Sequence, residues 1–324
     1  MGIIETGWGL DVILWFQSWR TTLIEAASLT FHVLGTSEFY LLVLPLFYWC
    51  VDAAWGRHLA VVTTLSLWAN SLFKAGFRRP RPFMASSYVR NLVPEMSYGL
   101  PSGHVQGSTT LWGTLAADMR RGWVTALTIA YVILIALSRM ILGVHYLQDV
   151  IFGALVGLVA VGLYARLEPS LAPWLATRRL GMQVGLAVGL SALMLAFHPG
   201  LIIPTTPPWL DIPLSPDELL SDSVTPAAGF LGLGVGFALE LRYVRFSAQG
   251  IWWKRLIRLV IGMAGILALR FGLKALFADL EPVLIFRLLR YMLIGVWASF
   301  GAPWLYVRTR LASRQQSDCA GRAI

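Results

Sequence analysis

The sequence predicts an all-α fold, a polytopic bundle of membrane-spanning helices, from its composition and the length of its apolar segments. Hydrophobic residues make up 57% of the 324 residues and charged residues only 13%, which is more apolar surface than one soluble domain of this length could bury. Apolar segments near the roughly 20 residues that cross a bilayer recur along the chain. The same composition excludes a disordered chain and a disulfide scaffold, because neither Cys50 nor Cys319 has an evident partner.

Nine segments are predicted to span the membrane, and a tenth is doubtful. The nine cover residues 36–51, 58–77, 104–118, 123–138, 147–164, 180–197, 226–241, 256–277 and 283–307. Residues 21–34 are short for a span and contain Glu25 and His32, so they form either a span or a packed first helix. Residues 8–19 are expected to lie at the membrane interface. No cleavable signal peptide is recognisable, so the first helices are expected to anchor the protein.

The net charge of +9 is distributed in a way that predicts topology. Most basic residues fall in every second connection, so those connections and the C-terminus are expected to be cytoplasmic. They are Arg57, Arg120, Arg121, Arg166, Arg178, Arg179, Arg242, Arg245, Lys254, Arg255, Arg258, Arg308, Arg310 and Arg314. The connection at 198–225 contains acidic residues and no Lys or Arg, as expected of a translocated loop. With ten spans the N-terminus is cytoplasmic as well.

One connection departs from this rule. Arg78, Arg79, Arg81 and Arg90 lie in a loop that alternation places outside, and Lys74 lies just before it. Basic residues held against the topology rule indicate an anionic ligand. The alternative is that they are interfacial arginines whose side chains reach lipid headgroups.

Three short motifs at the predicted outer helix ends favour the anionic ligand. Lys74, Arg81 and Arg139 supply positive charge and N–H donors for a phosphate, Arg as a bidentate fork and Lys as a point charge. In the Pro-Ser-Gly-His stretch at 101–104, the serine is expected to cap the next helix. The glycine lets the backbone approach an anion at the helix N-terminus, and His104 falls in the first turn, beside that anion.

The third motif places a histidine and a carboxylate on one helix face. His145 and Asp149 are four residues apart, so the carboxylate can accept a hydrogen bond from one imidazole nitrogen and leave the other to attack phosphorus. This pattern is typical of a nucleophile with its orienting group. Two histidines near one phosphate divide naturally into attacking group and proton donor. Because Lys and Arg balance the phosphate charge, no metal and no cofactor are expected.

The motifs Lys-x6-Arg-Pro, Pro-Ser-Gly-His and Ser-Arg-x5-His-x3-Asp, in this order from Lys74 to Asp149, resemble the signatures of the type 2 phosphatidic acid phosphatase (PAP2) superfamily. That family shares its fold with vanadium haloperoxidases and glucose-6-phosphatase. The resemblance implies that His145 forms a phosphohistidine, Asp149 orients it, and His104 protonates the leaving group and later activates water. It also implies a set of phosphate-binding residues: Lys74, Arg81, Ser102, Gly103 and Arg139.

The resemblance implies a six-helix catalytic core over residues 1–168, followed at 169–324 by three to four additional transmembrane helices of unknown role. The expected function is that of a metal-independent phosphatase at the cell membrane, with its active site on the extracytoplasmic side. Its expected partners are membrane lipids and a lipid phosphate or diphosphate substrate, and a homodimer is possible. A nucleic-acid partner is not expected.

Within this class an isoprenoid diphosphate such as undecaprenyl diphosphate is slightly preferred over a phosphatidate-type or sphingoid-base phosphate. A phosphotransferase with a lipid acceptor and a glucose-6-phosphatase-like sugar phosphatase are the alternatives. A non-enzymatic lipid transporter is disfavoured by the intact set of catalytic residues, and a haloperoxidase is disfavoured by the apolar composition.

Several polar residues remain outside the motifs. His32, His58 and His198 are interpreted as packing residues. Asn91, Glu95 and Tyr98 lie in the site loop, where nothing in the sequence separates them from ordinary loop residues. Four basic residues near the outer ends of the late spans predict either local ion pairs or a second anionic contact: Arg270, Lys274, Arg287 and Arg290.

Overall fold

The computed structural model describes residues 7–95, 97–199, 216–278, 280 and 283–315, with the backbone alone at 216–222 and 283. Among these residues the chain is helical, with a single isolated β-bridge between Phe246 and Arg314. The predicted all-α membrane bundle is confirmed. Cys319, Asp279, Glu281 and most of the acidic connection at 198–225 lie outside the described residues.

The helices closely follow the predicted segments. In chain order they are α1 (Trp8–Ser18), α2 (Thr22–Val33), α3 (Ser37–Leu46), α4 (Ala53–Phe77), α5 (Pro82–Ala85), α6 (Gly103–Met119), α7 (Gly122–Ile141), α8 (Leu147–Ala176), α9 (Leu180–Ala196), α10 (Pro216–Leu239), α11 (Trp252–Leu267), α12 (Leu273–Leu276), α13 (Val283–Val296) and α14 (Ala302–Arg308). π-Helical turns follow α3, α10, α11 and α13. The largest differences are at α8, which ends twelve residues after its predicted span, and at α10, which begins ten residues before its predicted span.

Five helical segments in the described part of the chain are long and apolar enough to cross a membrane, or six if α2 and α3 with its π-turn, bent by 56°, form one broken span. The protein is therefore a multi-pass membrane protein. The prediction of nine spans is not reproduced by this criterion, because α4 and α6 carry polar residues and α9 is only 17 residues long. Helix α8 shows the apolar surface expected of a span, with five large apolar side chains more than half exposed: Leu155, Leu158, Val159, Leu163 and Leu171.

A buried polar network joins α4 to α6. The amide of Asn70 donates to Oε1 of Gln106 at 2.9 Å, and Oγ of Ser66 lies 2.8 Å from Oγ1 of Thr110. Nε2 of Gln106 also bonds Oγ of Ser66 at 3.0 Å. Since each polar group is satisfied inside the bundle, the network sets the register of the two helices. One of these helices ends, and the other begins, near the motif residues.

Glycines let α8 lie directly against the start of α6. A Cβ at Gly153 would lie 2.7 Å from the carbonyl oxygen of Ser102, and a Cβ at Gly157 would lie 2.7 Å from Cβ of Thr109. The backbone N–H of Ser102 also donates to the carbonyl of Asp149 at 3.0 Å. This contact fixes the second motif against the third.

The C-terminal helices pack on the N-terminal ones through α10, which lies against α4, α9 and α13. Arg258 was counted with the cytoplasmic loop charges, but it is fully buried. Its guanidinium donates to the carbonyls of Trp49, Ala248 and Gln249, each at 2.9 Å, so it links the two halves of the chain. Arg270 pairs with Glu38 of α3 at 3.0 Å, which favours the ion-pair interpretation of that residue.

The glycine contact makes a testable prediction. Gly153→Ala should lower the free energy of unfolding by about 1–3 kcal/mol, because the added methyl group meets backbone that cannot rotate away. Gly162→Ala, on the same helix, is the matched control, since a Cβ there would meet nothing within 4 Å in the described part of the chain. Thermal unfolding in detergent measures both, and equal stability of the two variants would contradict the contact.

Candidate active site

The three motifs meet at one end of the bundle, where α4 and α7 end and α6 and α8 begin. Helix α4 ends because Arg78 adopts the left-handed conformation, with φ of 49°, and its N–H bonds the carbonyl of Lys74. The prolines at 80 and 82 then keep the chain extended before α5. This turn carries Arg81 from the end of α4 to the residues just before α8, where it bonds Val144.

Arg81 and Arg139 are both buried. Nη1 of Arg81 donates to the carbonyl of Val144 at 3.0 Å, and Nη2 donates to Oγ of Ser97 at 2.9 Å. Nζ of Lys74 donates to the same Oγ at 2.9 Å. Two of the three cations predicted to bind phosphate, Lys74 and Arg81, therefore meet at one loop residue.

A carboxylate lies between the two arginines. Oε2 of Glu95 is 3.1 Å from Nη2 of Arg81, and Oε1 accepts a hydrogen bond from Nη2 of Arg139. Burial alone would raise the pKa of Glu95, but the positive charges of Arg81 and Arg139 hold it well below its ordinary value. Glu95 is therefore ionised, and it occupies the position between the cations that suits an anion.

His145 and Asp149 are both buried. Nδ1 of His145 lies 3.3 Å from Oδ2 of Asp149, and Nε2 lies 3.1 Å from Nη1 of Arg81. The same Oδ2 accepts the N–H of Tyr146 at 2.9 Å and so caps α8. Burial and the charges of Arg81 and Arg139 hold the pKa of His145 well below its usual value. The imidazole is therefore neutral near pH 7, with Nε2 directed towards the cations.

The Pro-Ser-Gly-His motif lies against the start of α8, where the N–H of Ser102 donates to the carbonyl of Asp149. Ser102 is the N-cap residue of α6, but its side chain makes no capping bond, which corrects the prediction that the serine caps the helix. Instead its Oγ is buried and, in the described part of the chain, has no hydrogen-bond partner. The same holds for Nε2 of His104 and Nε of Arg139. Buried polar atoms left unpaired are costly, so these three atoms are candidates to contact a ligand.

His32, interpreted from the sequence as a packing residue, packs within the site and contacts two motif residues. Its ring stacks on that of His104, with centroids 5.1 Å apart and 17° between the planes, and its Nδ1 is 2.6 Å from Nη1 of Arg139. By contrast, His58 bonds Tyr164 at 2.6 Å at the other end of α4, and His198 bonds Ser71 at 3.1 Å.

The side chains of His32, Glu95 and His104 form the one group of potential metal ligands found among the described residues, with their ligand atoms within 4.8 Å of one another. Two of the three are already bonded to Arg139. The guanidinium charge at that position disfavours a cation and favours an anion.

The structure brings all the predicted site residues to one place and adds Glu95 and His32. Neither belongs to a motif, and no spacing rule connects them to the others. Glu95 has one sequence signal. It is an acidic residue in the predicted outer loop whose basic residues depart from the topology rule. Chemically, the arrangement combines a neutral, oriented imidazole, three cations and a second imidazole, as transfer of a phosphoryl group to histidine requires.

Two family models match the chain. The model described as PAP2 superfamily matches residues 55–171, which include every motif residue. A second, described as PAP2 superfamily phosphatase, transmembrane extension, matches residues 224–314, where the C-terminal helices lie.

Curated relatives are similar to part of the chain. The probable sphingosine-1-phosphate phosphatase of Dictyostelium discoideum is 25% identical over 47% of this chain and 40% of its own length. Sphingosine-1-phosphate phosphatase 2 of Mus musculus is 30% identical over 40% of this chain and 38% of its own. The chain thus spans about two fifths of the length of these relatives.

A solved structure, that of a transmembrane PAP2 type phosphatidylglycerolphosphate phosphatase from Bacillus subtilis, is 20% identical. It covers 52% of this chain and 87% of its own, with a TM-score of 0.45. The two family models and the three motifs that meet at one site establish that the chain belongs to the PAP2 superfamily.

Proposed function

We propose that the protein is a membrane phosphatase that hydrolyses a lipid phosphate through a phosphohistidine on His145. The observation that carries the proposal is the placement of His145 between Asp149 and Arg81, with Nε2 facing the cations. A lone buried histidine would not need a carboxylate on one nitrogen and a guanidinium at the other. That pairing supports a nucleophile held beside a phosphate.

In the proposed complex the phosphate takes the position between Arg81 and Arg139, with Lys74 beside it. Oγ of Ser102 and the N–H groups at the start of α6 bind further phosphate oxygens. The bound phosphate would supply hydrogen-bond partners for two buried atoms, Oγ of Ser102 and Nε of Arg139, which lack partners in the described part of the chain. The proposal also places Gly103, where a Cβ would lie 3.2 Å from Oδ1 of Asn70, next to the anion.

In the first step Nε2 of His145 attacks phosphorus, and the bond from phosphorus to the lipid oxygen breaks. His104 donates a proton to that oxygen, so the lipid leaves as an alcohol. Asp149 stabilises the positive charge that develops on His145 by accepting its Nδ1 proton in a hydrogen bond. The cations stabilise the negative charge on the phosphoryl oxygens.

In the second step His104 accepts a proton from water, and the water oxygen attacks phosphorus. The bond from Nε2 of His145 to phosphorus breaks, which releases inorganic phosphate and restores the neutral imidazole. Stacking on His32 fixes the His104 ring, so the same nitrogen serves both steps. In this scheme His32 is a positioning residue.

The proposed substrate is a lipid because the site lies at the ends of helices whose outer faces are apolar. A lipid can then reach the site without its tail leaving the bilayer. The names of the curated relatives favour a sphingoid-base phosphate, so we propose that class first. An isoprenoid diphosphate, which the sequence alone slightly favoured, is the second candidate.

The proposal extends to organisation and topology. Residues 1–168 are proposed to form the catalytic unit and residues 169–324 the additional helices. The distribution of basic residues supports an extracytoplasmic active site and a cytoplasmic C-terminus in the cell membrane. A homodimer is compatible with this arrangement.

The catalytic proposal is tested with His145→Asn. This variant should lose at least 10³-fold in phosphate release, since the nucleophile is absent, while its thermal unfolding in detergent stays near that of the parent. Phosphate release is measured across a panel of a sphingoid-base phosphate, phosphatidate, an isoprenoid diphosphate and glucose 6-phosphate. His58→Asn is the matched control and should retain turnover, because His58 bonds Tyr164 at the opposite end of α4. Normal turnover by His145→Asn would contradict the mechanism.

Metal removal separates this chemistry from a metal-dependent one. Dialysis against EDTA should leave kcat unchanged within about twofold, because Lys74, Arg81 and Arg139 balance the phosphate charge. Orthovanadate should inhibit, since it adopts the five-coordinate geometry of phosphorus in the transition state. Loss of activity in EDTA that Zn²⁺ restores would instead assign a metal to His32, Glu95 and His104.

A further inference from the structure

We infer that Glu95 is a specificity-determining residue. Its carboxylate occupies the anion site of the free protein, so that a dianionic phosphate monoester displaces it and a monoanionic phosphodiester headgroup does not. This inference rests on the proposed function, since it assigns a substrate class to the same site. It concerns a residue outside the three motifs.

The first observation is the way that Glu95 is bound. One carboxylate oxygen pairs with Arg81 at 3.1 Å and the other with Arg139, so a single carboxylate spans both buried guanidinium groups. Arginine forks bind carboxylates and phosphates through the same donors. Glu95 and a substrate phosphate cannot both hold these donors, so binding requires an exchange.

The second observation is that both arginines also form hydrogen bonds to groups other than Glu95. Arg81 donates to the carbonyl of Val144 at 3.0 Å and to Ser97 at 2.9 Å. Nη1 of Arg139 lies 2.6 Å from Nδ1 of His32. Departure of the carboxylate therefore leaves both guanidinium groups in position to receive a phosphate.

The third observation is where Glu95 lies in the chain. It belongs to the non-helical connection between α5 and α6, and its side chain retains 16% exposure, whereas Arg81 and Arg139 retain 1% and none. Because a loop residue can move without unwinding a helix, Glu95 can leave the site while the cations stay.

Charge explains the selectivity. Lys74, Arg81 and Arg139 carry three positive charges, and Glu95 neutralises one of them. A phosphate monoester with a charge of about −1.5 to −2 at neutral pH gains Coulomb energy when it replaces a carboxylate of charge −1. A phosphodiester of charge −1 gains none, and it must also compete with a group tethered to the site at high effective concentration.

This selectivity would matter in a bilayer, because most phospholipid headgroups there are phosphodiesters. A cluster of three unopposed cations open to the membrane would bind them and be inhibited. Glu95 removes that inhibition without blocking a substrate that carries a terminal phosphate.

The inference is tested by equilibrium binding to the full-length protein in detergent, which needs no turnover. The two probes are inorganic phosphate at pH 8, mostly dianionic, and dimethyl phosphate, a monoanion that resembles a diester headgroup. The parent protein should bind phosphate at least tenfold more tightly than dimethyl phosphate. Glu95→Gln, which keeps the shape and removes the charge, should bind phosphate at least tenfold more tightly than the parent and bind dimethyl phosphate measurably.

Glu38→Gln is the matched control, since Glu38 also pairs with an arginine but lies outside the site, and it should bind both probes as the parent does. Unchanged or weaker phosphate binding by Glu95→Gln would overturn the inference and make Glu95 a clamp for the arginines. If that variant does not fold, the parent protein alone tests the inference. Similar affinities of the parent protein for phosphate and dimethyl phosphate would also overturn the inference. Selective binding without phosphate release would leave this inference standing and refute the proposed function.

Discussion

The site depends on the pairing of two fully buried guanidinium groups with an anion. Burial of Arg81 and Arg139 in an apolar bundle is costly without negative charge beside them, and in the free protein Glu95 provides it. The hydrogen bonds from Arg81 to Val144 and His145 then place the proposed nucleophile, His145, against the same charge. The need of the buried arginines for a neighbouring anion is thus the same property that the proposed phosphate binding uses.

The bundle supports this pairing with close helix contacts and satisfied polar groups. Gly153 lets α8 touch the backbone of Ser102, and the Asn70–Gln106 hydrogen bond holds α4 against α6. These contacts join the three motifs, which come from helix ends distant in sequence. The Asp149 carboxylate serves both purposes, because it caps α8 and orients His145.

Much of this could be predicted from residue patterns. Apolar segments located nearly all the helices, and the motif residues met where expected, because both follow from local spacing. Ser102, His32 and Glu95 could not be predicted correctly. The hydroxyl of Ser102 lacks a capping bond because of side-chain rotation, which sequence does not determine. His32 and Glu95 reach the site through the packing of α2 and the course of a loop, and neither has a periodic signal.

The central claim is that His145 carries the phosphoryl group during turnover, and trapping that intermediate tests it most directly. The protein is mixed with a radiolabelled lipid phosphate that it hydrolyses and quenched in base, in which phosphohistidine survives, and the labelled peptide is identified by mass spectrometry. The account predicts an acid-labile label on His145, formed before phosphate is released. Label on another residue, or rapid turnover with no trapped label at any quench time, would contradict it.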